Sequence, residues 1–384
     1  MDDLAKNIKR YRLMRGMDQD VVAGRLGISR VTYSKIENGK GKVSDDQFYR
    51  LSQIFGIKPE VLLDAPEPRC KRPFFRHRKA KTQQEAQCVQ QMLIDAERKF
   101  DGYKQLEEIA QDYTTGSPEF EALRHSVSSP DEAKALGTQV RNLFGRQGYA
   151  RVSQFADAIE GNGIKFLPFD FPFGGEFGFT LRLSNGQLGI AVNTRAEIPG
   201  ERQLFTLCHE FGHYMMHDEV ERNLGDKELS AAEAKELERQ ADAFASGLLM
   251  PDHDFDVAWQ STEGQLWFNR ILEVKRIFSV SYQTVIYRLD EKFRRGKGAK
   301  SVPPYRVWFR QNYRRRFGRE LPSREEVCPG DIKVASRRYV RLARKAFFEG
   351  EISIGRLGEL FDKSVLDIRH LVNDWCRERE EVGV

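Results

Sequence analysis

The residues best suited to chemistry lie in one short segment, residues 208–217, whose sequence CHEFGHYMMH contains the pattern His-Glu-x-x-His. Residues four apart on a helix share a face, so the imidazoles of His209 and His213 can bind one Zn²⁺ ion together. Glu210 then projects beside them, where its carboxylate can take a proton from water. The spacing therefore predicts a helix that carries two metal ligands and a catalytic base.

A third metal ligand must come from another part of the chain. The metzincin pattern places a third His six residues after His213, but Glu219 stands there. Farther on, Glu238 and Asp242 are four residues apart in a second helical pattern and share a face. We predict that Glu238 is the third ligand and that Asp242 orients a ligating imidazole. Zn²⁺ is the expected ion, Mn²⁺ could occupy the same ligands, and peptide hydrolysis is the expected reaction.

Three further residues near this pattern have open roles. His217 lies one helical turn beyond the predicted ligands and either contacts substrate or has a structural role at the helix end, where backbone carbonyls favour a cation. Tyr214 and Tyr282 are each candidates to donate a hydrogen bond to an oxyanion, and the sequence does not decide between them. The predicted ligands could also be packed core histidines and a surface glutamate, which is the alternative to a metal site.

A second group of residues, near the start of the chain, has the spacing of a helix-turn-helix. Gly27 permits a tight turn, and Ser29 is a favourable N-cap for the helix that follows. The pattern predicts helices over 19–26 and 29–38, with the second helix in the major groove of DNA. A helical bundle used for protein contacts is the alternative. The residues expected to contact DNA are Gln19, Ser29, Arg30, Thr32, Tyr33 and Lys35.

Both segments resemble known families. The sequence from residue 18 to residue 40 resembles the XRE (Cro/C1-type) helix-turn-helix family, which implies binding to double-stranded operator DNA as a homodimer. ERQLFTLCHEFGHYMMH and ERQADAFASGLLMP together resemble the ImmA/IrrE family of zinc metallopeptidase domains. That resemblance implies metal binding by His209, His213 and Glu238 and catalysis by Glu210. It also implies cleavage of a partner repressor or antitoxin at one site.

The chain departs from the ImmA/IrrE pattern at two positions. Cys208 stands where Ala is usual, and Asp242 stands where Asn is usual. Both replacements are small, so we expect the metal ligands to be kept. A thiol beside the site would also be a candidate for oxidation.

Composition limits the class of protein. The length of 384 residues indicates two to three folded units, and 40% hydrophobic residues suffice for real cores. Five scattered Cys with no CxxC argue against a disulfide framework or a Cys-ligated zinc, and they favour the cytoplasm. There is no signal-peptide pattern and no apolar run of about 18 residues, so neither export nor a membrane partner is expected.

The predicted architecture is multidomain and mainly α, with a small antiparallel sheet. It combines an all-α helix-turn-helix domain, an α+β zincin-like peptidase domain and a helical C-terminal region. Strands are expected at 164–169, 177–183 and 188–192, with a hairpin turn at 184–186. The predicted domains are 1–65 (helix-turn-helix), 66–117 (basic linker and helical spacer), 118–293 (peptidase) and 294–384 (basic segment and C-terminal helices).

Two segments are basic and contain no acidic residue. Residues 69–81 carry seven Lys and Arg, and residues 294–319 carry ten, interleaved with aromatic residues. This composition suits phosphates and stacked bases, so a single-stranded nucleic acid is one candidate effector. The alternative is a basic helix that pairs with an acidic protein surface. The last helices, at 336–375, are expected to serve in dimerisation or docking, with a second DNA-binding element as the alternative.

Two functions from different classes follow. The first is a DNA-binding transcriptional regulator whose zinc peptidase cleaves a partner repressor or antitoxin as a stress or phage switch. The second is a DNA-binding repressor or antitoxin whose metal domain is a sensor or a structural module without proteolytic activity. Glu210 favours the first, because a structural zinc site uses four protein ligands and has no need of a base.

Overall fold

The structure is a computed structural model that describes residues 3–14, 17–55, 59–63, 83–148, 151, 154–171, 178–183, 187–195, 197–218, 229–296, 305–320 and 335–382. The chain forms two compact units. The first contains the N-terminal helices, and the second contains residues 103–180 and the chain from residue 188 onward. The domain boundaries given above remain predictions.

The first helices, in chain order, are α1 (Asp3–Met14), α2 (Gln19–Leu26), α3 (Arg30–Glu37), α4 (Asp45–Phe55), α5 (Pro59–Leu63) and α6 (Gln83–Ala110). The next elements are α7 (Pro118–Ala122), α8 (Pro130–Arg146), α9 (Phe155–Gly161), β1 (Lys165–Phe169), β2 (Gly178–Arg182) and β3 (Leu188–Asn193). Then come α10 (Gly200–Met216), α11 (Ala231–Leu249), α12 (Asp252–Ser261), α13 (Trp267–Phe278) and α14 (Tyr282–Gly296). The last helices are α15 (Tyr305–Phe317), α16 (Arg337–Phe348), α17 (Ile354–Phe361) and α18 (Val365–Val382).

Helices α2 and α3 form the predicted helix-turn-helix. Gly27 begins the turn in the left-handed region (φ 71°, ψ 28°), which glycine adopts without steric cost. The Ser29 hydroxyl accepts a hydrogen bond from the Thr32 backbone N–H at 3.2 Å and so caps α3. A buried carboxylate, Glu37, accepts hydrogen bonds from Arg12 of α1 and, at 2.7 Å, from Gln19 of α2. This polar contact ties the first three helices together.

The second unit contains a three-stranded sheet in the order β1-β3-β2. Strand β1 pairs in parallel with β3, so that Phe166 lies opposite Ile190. The predicted strands are present, but the prediction of an antiparallel sheet is wrong in one respect, because the sheet is mixed. Strand β3 follows β2 in the chain and inserts between β1 and β2. The predicted turn at 184–186 lies outside the described residues.

Helix α11 lies very close to α8 because two glycines face each other's helix backbone. A Cβ added at Gly247 would lie 2.1 Å from the Lys134 carbonyl oxygen, and one added at Gly137 would lie 2.3 Å from the Phe244 carbonyl oxygen. Gly212 of α10 likewise faces the Phe244 side chain, with 3.0 Å left for a Cβ. The glycines of α8 and α11 thus hold α11 in place, and Gly212 lets α10 approach it. Helices α10 and α11 each carry part of the predicted site.

Helix α15 belongs to the core of the second unit. Phe309 and Tyr313 are buried, and the Phe309 ring stacks on Tyr282 at 4.4 Å and on Phe268 at 4.8 Å. These two aromatic residues are therefore not available to stack on bases, which corrects that part of the prediction for residues 294–319. The other predicted phosphate-binding segment, 69–81, lies outside the described residues. In the part of the chain that the structure describes, no helix is long and apolar enough to cross a membrane.

Candidate metal centre

The predicted ligands come together between α10 and α11. His209 Nε2 lies 3.2 Å from His213 Nε2 and 3.4 Å from Glu238 Oε2, and His213 Nε2 lies 3.5 Å from Glu238 Oε1. Both histidines are buried, with exposed fractions of 3% and 1%. Two imidazoles on one helix therefore face one carboxylate on the next, and the three residues form a group that could hold a metal ion.

The spacing of these atoms matches a zinc site. Ligands at about 2.0–2.1 Å from zinc, in tetrahedral geometry, lie about 3.3–3.4 Å from one another. The two nitrogens, 3.2 Å apart, and the 3.4 Å from His209 Nε2 to Glu238 Oε2 fall around that value. The 3.5 Å from His213 Nε2 is measured to the other carboxylate oxygen, Oε1, so the carboxylate presents one oxygen to each imidazole. Two neutral nitrogens and one carboxylate oxygen are also a common ligand set of catalytic zinc, whose fourth position is left open. The residues present therefore fit a divalent metal.

Asp242 fixes the orientation of His209. Its Oδ1 lies 2.8 Å from His209 Nδ1, so a proton on Nδ1 is donated to the carboxylate and Nε2 is left to face Glu238. Burial opposes a charge on His209, but hydrogen bonds with Asp242 and Glu238 outweigh it and raise its pKa to about 9. Burial likewise opposes the Glu238 carboxylate, yet hydrogen bonds with both histidines lower its pKa. The carboxylates of Glu238 and Asp242 thus favour a positive charge beside His209.

His217 lies behind His213 and is itself buried, with an exposed fraction of 1%. His213 Nδ1 is 2.8 Å from His217 Nδ1, and His217 Nε2 is 2.9 Å from Gln240 Oε1. Burial and the neighbouring His213 lower the pKa of His217 to about 3, which keeps it neutral. Because the Gln240 oxygen only accepts, His217 carries its proton on Nε2 and accepts from His213 at Nδ1. His213 Nε2 is then directed to the cluster.

Glu210 is held by a residue of the sheet that the sequence did not single out. The Thr180 hydroxyl, on β2, lies 3.0 Å from Glu210 Oε2 and 3.2 Å from the Glu210 carbonyl oxygen. A Cβ on Gly178 would lie 3.1 Å from Glu210 Cγ, so this strand approaches the helix closely where its residue has no side chain. Strand β2 therefore lines the side of α10 from which Glu210 projects.

Three other residues discussed above lie in packed surroundings. The Tyr214 ring carries the Arg124 guanidinium at 4.4 Å, and burial raises the pKa of its hydroxyl to about 12. Tyr282 is buried against α15, and its hydroxyl accepts hydrogen bonds from Gln283 and from Arg310, each at 3.3 Å. These contacts favour structural roles. Cys208 is fully buried and burial raises its pKa, so the expected susceptibility to oxidation is wrong for this thiol.

The residues predicted to contact DNA fall into two groups. Ser29, Arg30, Thr32 and Lys35 are exposed on the outer side of α3. Tyr33 is fully buried in the core of the helix-turn-helix, so its prediction as a DNA contact is wrong. It lies between the exposed Thr32 and Lys35 in sequence, but on the side of the helix that faces the core. Gln19 donates to Glu37, which favours a role inside the domain.

Comparison with known protein families identifies two segments. Residues 8–62 match a helix-turn-helix family, and residues 169–290 match the family described as the IrrE N-terminal-like domain, a peptidase family. The first match covers α2 and α3, and the second covers α10 and α11 with all three candidate ligands. A search of curated proteins found no match to the chain. The chain therefore joins an XRE-type helix-turn-helix domain to an ImmA/IrrE-like peptidase domain, the fusion that its sequence resembles.

Proposed function

We propose that this protein is a cytoplasmic transcriptional regulator that binds operator DNA as a homodimer and cleaves a partner repressor or antitoxin at one site. The observation that carries the proposal is the cluster of His209, His213 and Glu238, in which both imidazole nitrogens lie within 3.5 Å of a carboxylate oxygen and the three residues could hold a metal ion. The matched peptidase family and the buried carboxylate of Glu210 beside the cluster support hydrolysis.

Each residue of the cluster has a separate task in the proposed reaction. His209, His213 and Glu238 would hold Zn²⁺, or Mn²⁺, which supplies a Lewis acid for the peptide carbonyl and the attacking water. Glu210 would accept the proton of that water and later give it to the leaving amine. Thr180 would keep the Glu210 carboxylate turned toward the reacting atoms, since its hydroxyl is 3.0 Å from Oε2. Asp242 and His217 would hold the two imidazoles in the ligating tautomer.

The helix-turn-helix domain would bring the peptidase domain to operator DNA. Arg30 and Lys35 are exposed on α3, where side chains reach phosphates and base edges in the major groove. A peptidase on the same chain as this domain would be concentrated at the operator, where a repressor bound nearby is its substrate. Cleavage would then remove the partner from DNA and change transcription.

The test combines metal analysis with cleavage. The purified full-length protein, His209→Ala, Glu238→Ala and Glu210→Gln are analysed for metal and incubated with regulators encoded beside its gene, and fragments are identified by mass spectrometry. We expect about one zinc per chain, its loss in the first two variants, and a single cut that is absent in all three. Glu210→Gln serves as the matched control, because it should keep the metal and lose only the cut.

Two results would contradict the proposal. If zinc survives loss of Glu238, the ligand set is wrong. If Glu210→Gln has the same cellular effect as the wild type, while metal and DNA binding are intact, proteolysis is not the activity. The metal domain would then be a sensor or a structural module of a DNA-binding repressor or antitoxin.

A further inference from the structure

The turn between α17 and α18 repeats the turn between α2 and α3. Both first helices have eight residues, and both are followed by three residues before the next helix begins. Asp362 begins the second turn in the left-handed region (φ 49°, ψ 46°), as Gly27 begins the first, and aspartate tolerates this conformation better than most residues. Helix α16 precedes the pair, as α1 precedes α2 and α3.

The hydrogen bonds of the two turns correspond position by position. Ile28 donates its backbone N–H to the Ala23 carbonyl at 3.0 Å, and Lys363 donates to the Gly358 carbonyl at 3.0 Å. The third residue of each turn is a serine. The Ser364 hydroxyl accepts from the Asp367 N–H at 3.2 Å, as Ser29 accepts from Thr32 at 3.2 Å. The two segments therefore share one backbone design.

The buried positions correspond as well. Val22 and Leu357 are the fourth residues of their helices, and both are fully buried. Tyr33 and Ile368 are the fourth residues of the helices that follow, and both are also fully buried. In each pair the second helix therefore turns the same side inward, so the opposite side of α18 occupies the place of the DNA-facing side of α3.

A third turn of this kind shows that the backbone alone does not make a binding surface. Between α13 and α14, Ser279 is left-handed (φ 53°), and Val280 donates to the Lys275 carbonyl at 3.2 Å. The helix that follows is partly covered, however, because Tyr282 and Ile286 are buried, although Tyr287 is exposed. That turn serves packing. The difference between the three turns is whether the outer side of the second helix is open.

The outer side of α18 is open. Leu366 is 64% exposed, and Arg369, His370 and Asn373 are exposed beside it. Counted from the turn, these four residues stand where Val31, Ser34, Lys35 and Asn38 stand in the first motif, while the exposed Val365 and Asp367 take the places of Arg30 and Thr32. His370 lies close enough to the exposed Asp367 carboxylate to interact with it electrostatically. Arg and Asn are the side chains that pair with guanine and adenine edges, which favours DNA over a protein partner for this surface.

We propose that residues 337–382 form a second helix-turn-helix that binds double-stranded DNA through the outer side of α18. This replaces dimerisation or docking as the role expected for the C-terminal helices. A chain with two such motifs would read two different DNA elements, and loss of either motif would weaken binding to a site that contains both.

The test uses the full-length protein and a DNA pool with 40 randomised base pairs. Duplexes selected by the wild type are measured by fluorescence anisotropy against Arg369→Ala/His370→Ala, against Arg30→Ala/Lys35→Ala, and against Arg377→Ala. Arg377 is the matched control, since it is exposed on the same helix and pairs with Asp374 at 3.8 Å. We expect each double variant to raise the Kd about tenfold or more, as loss of base contacts does, and the control to stay within twofold.

Each other outcome separates this inference from the proposed function. If Arg30→Ala/Lys35→Ala weakens binding and Arg369→Ala/His370→Ala does not, the second motif does not bind DNA, while the first still does. If Arg369→Ala/His370→Ala keeps DNA affinity but loses self-association in sedimentation, α18 binds a second copy of the chain instead. If the wild type selects no duplex, DNA binding by either motif is wrong. Unchanged melting temperatures show that the variants, all at exposed positions, are folded.

Discussion

His217 and Gln240 have a measurable role if they fix the orientation of His213. Replacing His217 with Phe keeps the volume of a ring but removes the acceptor that holds the proton on His213 Nδ1. We expect zinc affinity to fall about 10- to 100-fold, as it does when the hydrogen-bond partner of a ligating histidine is lost. Competition with a chelator of known affinity measures this change.

A histidine elsewhere provides the control for this prediction. His253 is exposed on α12, and we expect His253→Ala to leave the zinc dissociation constant unchanged. Equal affinities for His217→Phe and the wild type would show that the His213–His217 hydrogen bond does not support metal binding.

Thr180 gives a prediction that concerns the base and not the metal. Thr180→Val keeps the shape of the side chain and removes the hydroxyl that lies 3.0 Å from Glu210 Oε2. The carboxylate then loses a fixed orientation, so we expect the cleavage rate to fall about tenfold while zinc content stays at the wild-type value. Thr138→Val is the matched control, because that hydroxyl donates to the Lys134 carbonyl of its own helix, at 3.2 Å. Equal losses in both variants would contradict the assigned role of Thr180.

The sequence predicts site residues well when helical spacing places them together. His209 and His213 share a face because they are four residues apart, and the same holds for Glu238 and Asp242. Thr180 could not be found in this way, because it comes from a strand 30 residues away and contacts Glu210 only after the sheet has packed. Tyr33 shows the opposite error, since it is grouped with the other residues of the second helix as a predicted DNA contact, while its side chain is buried in the core.

At the scale of elements, the close approach of α8 and α11 depends on glycine. A Cβ at Gly247 would lie 2.1 Å from a backbone oxygen, which cannot move without shifting α8. We expect Gly247→Ala to lower the free energy of unfolding by about 1–3 kcal/mol, the usual cost of overpacking. Denaturant titration followed by circular dichroism measures it, and metal content should fall with it, because α11 carries Glu238.

Gly145 is the control within α8. No atom lies within 4 Å of a Cβ built there, so Gly145→Ala should be neutral or should stabilise the helix by up to about 1 kcal/mol. If both substitutions have the same effect on the free energy of unfolding, helix propensity explains it and the close packing of α8 against α11 does not.

For the sheet, the sequence predicts the positions of the strands but not their order. Alternating and continuous apolar runs located all three strands, because burial of a strand face is a local property of its residues. The order β1-β3-β2 depends on which strand fits beside which after the chain has crossed over, and no residue spacing reports it. The sequence does not predict the repeat of the turn either, because Gly27 and Asp362 share a left-handed backbone and not a residue type, and the serine two positions later is the one residue common to both turns.

At the scale of the whole chain, a buried polar cluster joins the C-terminal helices to the rest of the second unit. Glu160 of α9 accepts hydrogen bonds from Ser336, from the Arg338 backbone N–H at 3.1 Å and from the Tyr103 hydroxyl at 2.8 Å. The Arg338 side chain pairs with the buried Glu107 carboxylate. Residues near positions 105, 160 and 337 are thus joined, although they are far apart in sequence, and no local pattern could have predicted it.

This cluster makes the stability of the second unit depend on pH. Burial raises the pKa of Glu160 to about 7, even though its hydrogen bonds with Ser336, Arg338 and Tyr103 act in the opposite direction. In the unfolded chain the pKa returns to its ordinary value of 4.5. The folded state therefore holds this proton more tightly, and the stability that the proton contributes is present below pH 4.5 and is lost as the pH rises through 7.

Glu160→Gln should remove this dependence, since glutamine is neutral at every pH and has nearly the same shape. Between pH 5 and pH 8, we expect the wild type to lose about 2–3 kcal/mol relative to the variant, most of the free energy that corresponds to the difference between the two pKa values. Calorimetric melting temperatures of both proteins, measured at several values across that interval, give the comparison. Other titrating groups are common to both and cancel in the difference. A gap between the two proteins that stays constant with pH would mean that Glu160 is charged throughout, held so by the three hydrogen bonds that join α9 to α16 and α6.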